Sequence, residues 1–116
     1  MSVIKLLIAE DNLDMCGNLR EFFELTEGIE VVSIAHTGGE ALKMIEEHEP
    51  DVMLLDLMMP DIDGIGVLER LPGENAVKVI VTSAIGEDNV TARALALGAK
   101  YYVVKPYNLE DLTRRI

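Results

Sequence analysis

Five short apolar runs, each of strand length, alternate along this chain with five stretches spaced at the helical period. The runs are Val3 to Ala9, Val31 to Ala35, Val52 to Leu55, Val77 to Val81 and Tyr101 to Val104. Their β-branched, aliphatic and tyrosine content suits pleated backbone. Most are continuously apolar rather than alternating, as strands covered on both faces must be. The helical spacing is carried by Met15, Cys16, Leu19, Phe22 and Phe23, then Ala41, Leu42 and Ile45, then Val67, Leu68 and Leu71, then Val90, Ala94 and Leu97, then Leu109, Leu112 and Ile116. Gly28, Gly38, Pro50, Gly64, Pro72, Gly73, Gly86, Gly98 and Pro106 stand at or near the proposed boundaries. The pattern predicts an α/β fold: a parallel sheet with right-handed crossovers and helices on both faces.

The chain of 116 residues is long enough to close one core, so a single domain over residues 1–116 is expected. Its formal charge of -11 speaks against direct contact with nucleic acid, because phosphate backbones are held by clustered Lys and Arg. Cys16 is the single cysteine, which excludes an intrachain disulfide and points to a reducing compartment. Its spacing reads as a small buried helix residue rather than a reactive thiol. The amino terminus turns acidic at Glu10 and Asp11 after one short apolar run, unlike a signal peptide or a membrane span. A cytoplasmic protein with no membrane contact is expected.

In open parallel sheets, ligands bind outside the carboxyl ends of the strands. Here the first strand leads into Glu10 and Asp11, the third into Asp56, the fourth into Thr82 and Ser83, and the fifth into Lys105 and Pro106. Each is ordinary when read alone. An acidic pair after a strand is commonly a solvated loop, Asp56 could cap a helix, Ser83 could be a capping hydroxyl, and Lys105 a solvated lysine. Their joint arrival at one sheet edge is what carries chemistry. Three crowded carboxylates repel one another and call for a cation. Hard oxygen ligands with room for water suit Mg2+. Lys105 adds a fixed positive charge and Ser83 a neutral donor, completing the parts that phosphoryl transfer uses.

At these residues the sequence resembles the response-regulator receiver family over essentially its whole length. Leu7-Ile8-Ala9-Glu10-Asp11-Asn12 resembles the family's acidic pair, and Asp51 through Gly64, with Asp56 inside it, the phosphoacceptor block. Val79 through Ala84 supplies a hydroxyl followed by a small residue, and Leu97 through Tyr107 resembles the closing motif. The resemblance implies a flavodoxin-like three-layer sandwich with strand order 2-1-3-4-5. It implies that Asp56 attacks the phosphohistidine of a histidine kinase or phosphotransfer protein. Mg2+ would be held by Asp11, Asp56 and the Met58 carbonyl, with Glu10 acting largely through water. Ser83 and Lys105 would hold the phosphoryl oxygens, and a cis bond would precede Pro106. Tyr102 matches the family's switch aromatic, although its position also suits a half-buried strand tyrosine. Movement of Ser83 toward the phosphoryl group would open space for the Tyr102 ring and alter the face of the fourth helix, fifth strand and fifth helix. Phosphorylation could then drive homodimer formation.

Within the family, Val67 to Leu71, Glu87 to Ala94 and Ala96 to Tyr102 are similar to receivers of sporulation transcription regulators of endospore-forming bacteria. Receivers of the family usually continue their last helix past the point matching Ile116, so a longer regulator with a separate DNA-binding output domain is expected. Three other readings compete. A pseudo-receiver binding partners without phosphate would usually have lost an acidic residue, the Ser or the Lys. A hydrolase of the haloacid dehalogenase type needs its nucleophile on the first strand with a second Asp two positions on, where this chain has Met58 after Asp56. A flavodoxin would not lead its first strand into acidic residues facing a phosphate. The apolar Met58 and Ile85, two residues beyond Asp56 and Ser83, flank the path of an attacking water and predict a slowly hydrolysed phosphoryl group. His36 and His48 are expected to carry nothing, neither being assigned to a strand's carboxyl end. Glu46, Glu47 and Glu49 read as a solvated helix face.

Overall fold

The computed structural model describes residues 3–71 and 77–116. Pro72 and Gly73, read above as boundary markers, lie outside the described residues. Strands β1 (Ile4–Ala9), β2 (Ile29–Ala35), β3 (Val52–Asp56), β4 (Lys78–Ser83) and β5 (Tyr101–Val104) alternate with helices α1 (Leu13–Glu24), α2 (Gly38–His48), α3 (Gly64–Arg70), α4 (Asp88–Ala96) and α5 (Leu109–Arg115). All strand pairs are parallel, in the order β2-β1-β3-β4-β5. The expected flavodoxin-like sandwich is therefore present. Three expected strands start elsewhere: β1 begins one residue later, at Ile4, β2 two residues earlier, at Ile29, and β4 one residue later, at Lys78. Two run further at the site edge, so that Asp56 and Ser83 are the last rungs of β3 and β4 rather than loop residues.

Period-two alternation sorts each central strand between two cores. Leu7, Ala9, Met53, Leu55, Val79 and Val81 pack with Ala41 of α2, Val67 of α3 and Ala94 of α4. Leu6, Ile8, Leu54 and Ile80 face the other way, onto Leu19 and Phe23 of α1 and Leu112 of α5. Continuous burial holds for all of β3, for β4 from Val79 onward and for β1 from Leu6 onward, as the uninterrupted apolar runs imply. It fails at the two edge strands: in β2 only Ala35 is buried, and in β5 Tyr101 and Val103 pack inward while Tyr102 and Val104 face solvent. Leu97, read as part of a helical stripe, is exposed, because α4 ends at Ala96 and Leu97 is its carboxyl-terminal cap.

Side-chain caps set where helices begin and so where the loops around the site run. Asn12 Oδ1 accepts from Met15 N–H at 3.0 Å, Thr37 Oγ1 from Glu40 N–H at 3.1 Å, and Asp63 Oδ1 from Gly66 N–H at 2.8 Å. Gly64 is required by space. A Cβ there would stand 2.6 Å from Leu57 Cα and 2.8 Å from the Asp56 carbonyl oxygen, so only glycine lets α3 start against the end of β3.

Candidate functional site

The acidic pair leaves β1 as its ladder with β2 ends, the last rung being Glu10 N–H to the Ala35 carbonyl at 2.9 Å. Glu10 is buried and Asp11 exposed, while Asp56 is buried at the end of β3. One carboxylate oxygen from each of the three lies within 4.8 Å of the others. Lys105, just beyond β5, reaches into this cluster. Its Nζ donates to Glu10 Oε1 at 2.9 Å and to Asp56 Oδ2 at 3.0 Å. The other Asp56 oxygen, Oδ1, accepts from Met58 N–H at 3.0 Å. Glu10 Oε2 accepts from Asn12 N–H at 3.1 Å, so both Glu10 oxygens are also engaged.

Burial pushes the Glu10 carboxyl above its usual range and contact with Asp56 pushes it further, with Lys105 and the Asn12 amide opposing. Burial works against the Lys105 charge, but hydrogen bonds and attraction from Glu10 and Asp56 outweigh it and raise the ammonium to about 12. The site thus holds Lys105 firmly charged. Burial and the Glu10 charge also raise the Tyr107 hydroxyl to about 12, and Cys16 is pushed up to about 11 by burial and the nearby Glu10 and Asp11. Both stay protonated near neutral pH.

Ser83 is buried as the last residue of β4, and its carbonyl accepts from Lys105 N–H at 2.7 Å, which ties the hydroxyl-bearing strand end to the lysine. The Lys105–Pro106 bond is cis. Thr82 lies in register with Asp56, and its Oγ1 is buried without a hydrogen-bond partner, alone in this among the described side-chain polar atoms. Tyr102 stands apart, registered with Val81 two positions behind Ser83, with its ring stacked on Tyr101 at 6.2 Å. Met58 and Ile85 are both exposed, at 59% and 82%.

The profile of the response regulator receiver domain matches residues 6–116. The chain belongs to the response regulator receiver family. Receivers of known structure superpose on it closely. A signal receiver domain from Mycobacterium tuberculosis is 27% identical, with a TM-score of 0.92 over 99% of this chain and 94% of the other. A DNA-binding response regulator of the LuxR family from Staphylococcus aureus is 27% identical, with a TM-score of 0.89 over 97% and 94%. The receiver of CheB from Thermotoga maritima is 31% identical, with a TM-score of 0.82 over 97% and 86%.

As a receiver, this chain brings Glu10, Asp11, Asp56 and Lys105 into one cluster and seats Ser83 on the neighbouring strand end. The donor set fits Mg2+: oxygen ligands only, two buried carboxylates and one exposed one. One sequence expectation is corrected. His36 does follow a strand's carboxyl end, that of β2, and its Nδ1 lies 3.1 Å from the Glu10 carbonyl oxygen. The period of the apolar runs signalled only that β2 ended there; nothing local showed that its loop folds back onto β1. His48 closes α2, and its carbonyl accepts from Lys5 Nζ at 3.0 Å. Among the described residues no helix is long and apolar enough to cross a membrane.

Proposed function

We propose that this receiver accepts a phosphoryl group on Asp56 from the phosphohistidine of a histidine kinase or histidine phosphotransfer protein. The observation that carries the reading is the Lys105 ammonium bridging buried Glu10 and Asp56 beside exposed Asp11. A carboxylate oxygen of Asp56 forms the new P–O bond as the donor's P–N bond breaks, and the departing imidazole takes a proton. Lys105, already hydrogen-bonded to Asp56, neutralises charge on the incoming phosphoryl oxygens, and the Ser83 hydroxyl donates to one of them. Asp11, Asp56 and the Met58 carbonyl, with Glu10 through water, would hold Mg2+, which supplies further neutralisation of the carboxylates and phosphoryl oxygens. The domain acts as a phosphoacceptor switch rather than as an enzyme with a separate substrate.

The switched face comprises α4, β5 and α5, with Tyr102 turning as Ser83 moves. Its exposed ring supports this, since no closed pocket among the described residues surrounds it. An output domain on the same regulator would read that face, and the DNA-binding LuxR-family neighbour supports a transcriptional output. The runs Val67 to Leu71, Glu87 to Ala94 and Ala96 to Tyr102 support a regulator of the sporulation type, acting in the cytoplasm and dimerising on phosphorylation.

Intact-mass analysis after treatment with acetyl phosphate and Mg2+ tests the reading. One added phosphoryl group is expected in the wild type and none in Asp56→Asn. A gain that persists in Asp56→Asn, or one indifferent to EDTA, would overturn the assignment.

A further inference from the structure

The Glu10 carbonyl lies where the β1 ladder stops. Glu10 N–H bonds the Ala35 carbonyl, and the next rung of a parallel ladder would bring an amide from residue 37. There the chain has already turned to make Thr37 the cap of α2. The carbonyl is met instead by two side chains from different elements: Cys16 Sγ of α1 at 3.2 Å and His36 Nδ1 of the β2–α2 loop at 3.1 Å.

A carbonyl oxygen can only accept, so the short contact requires a proton on His36 Nδ1. The competing arrangement, Cys16 S–H donating to His36 Nδ1, spans 3.9 Å and would turn the nitrogen lone pair toward the carbonyl oxygen. Two donors on one acceptor is the arrangement without a clash. This carbonyl belongs to the peptide that joins Glu10 to Asp11. Rotating that peptide would swing both carboxylates relative to Asp56. The His36 loop is itself held, since His36 N–H donates to Glu40 Oε1 at 2.8 Å in the first turn of α2.

We infer that Cys16 and His36 are positioning residues, a two-donor clamp on the Glu10 carbonyl that presets the acidic pair for Mg2+. The inference rests on the receiver reading, since it is through Mg2+ that the preset geometry acts. Partners that orient ligands without touching the metal commonly matter as much as the ligands do.

Two measurements test it. Long-range 1H–15N correlation of the His36 ring in the wild type should show a proton on Nδ1; a neutral ring protonated only at Nε2 would overturn the clamp. Isothermal titration with Mg2+ should show affinity weakened roughly 10-fold in Cys16→Ala and in His36→Leu. Cys16→Ser, which keeps a donor, and His36→Asn, whose amide nitrogen overlays Nδ1, should restore it, while His36→Gln, whose nitrogen overlays Nε2, should not. Wild-type affinity in folded Cys16→Ala and His36→Leu, or equal behaviour of the Asn and Gln variants, would overturn it. If the variants fail to fold, the wild-type ring measurement still decides. A wild type that takes neither Mg2+ nor a phosphoryl group would instead sink the receiver reading, whatever the ring shows.

Discussion

Lys105 Nζ lies 3.0 Å from Asp56 Oδ2 across a separation of 49 residues, and the same ammonium holds Glu10 Oε1 at 2.9 Å. One cation thus bridges two buried carboxylates. Lys105→Ala leaves both without a cation, each keeping one backbone amide, and a destabilisation of about 1–3 kcal/mol follows, below the cost for a fully enclosed pair because the lysine is partly exposed. Urea unfolding in EDTA should show the loss, with Mg2+ restoring part of it. Phosphoryl uptake from acetyl phosphate should fall even where Mg2+ restores stability.

The Glu10 carboxyl is raised by burial first and by Asp56 second, even with Lys105 attracting its charge. The folded protein therefore keeps this proton to higher pH than the unfolded chain does. Stability contributed by the protonated group is present below the ordinary carboxylate pKa and is lost as pH rises through the raised one. In EDTA, Glu10→Gln should be more stable than the wild type at neutral pH, by on the order of 1 kcal/mol. Mg2+ at a hundred times its Kd should stabilise the wild type by about 2.7 kcal/mol and the variant by less. An apo melting temperature that does not change from mildly acid to neutral pH would contradict this.

Gly64→Ala drives a Cβ to 2.6 Å from Leu57 Cα and 2.8 Å from the Asp56 carbonyl oxygen, both backbone atoms that cannot swing aside. A loss of about 2–4 kcal/mol is expected, with weaker phosphorylation because Asp56 moves. Gly17→Ala is the control. Nothing lies within 4 Å of its added Cβ inside α1, and a gain of about 1 kcal/mol is expected from helix propensity. Denaturant midpoints of the two variants should move in opposite directions.

Cys16 is buried and its thiol is pushed up to about 11. Little thiolate forms near neutral pH, and the sulfur is out of reach of reagent. Maleimide labelling of the native protein should be slow and should follow global unfolding as urea is added. Fast labelling without denaturant would show that α1 opens locally.

Met58 and Ile85 place two apolar, exposed side chains two residues beyond Asp56 and Ser83. Slow loss of the phosphoryl group is expected, suited to transcriptional output. Replacing both by Asn should speed hydrolysis on the order of tenfold, equivalent to about 1.4 kcal/mol of barrier. A wild-type rate already fast and indifferent to the replacement would count against the shielding role.

Much of the fold was legible in one dimension because its determinants are local. The runs from Val52 to Leu55 and from Tyr101 to Val104 announce strands by their own composition, and the spacing of Met15, Cys16, Leu19 and Phe23 announces α1. The chemical types of Glu10, Asp11, Asp56, Ser83 and Lys105, and their places after strands, were likewise written in the chain. What only the tertiary structure decided is distance. Lys105 meets Glu10 across 95 residues because strand order sets β3 and β4 between β1 and β5, and no spacing in the sequence encodes that the lysine spans them. Exposure at β5 and Leu97 depends on which neighbours cover an edge strand and where α4 stops. The approach of His36 to the Glu10 carbonyl depends on a loop folding over the next strand. Periodicity acts between neighbours along the chain; the site is made of residues that become neighbours only when the sheet assembles.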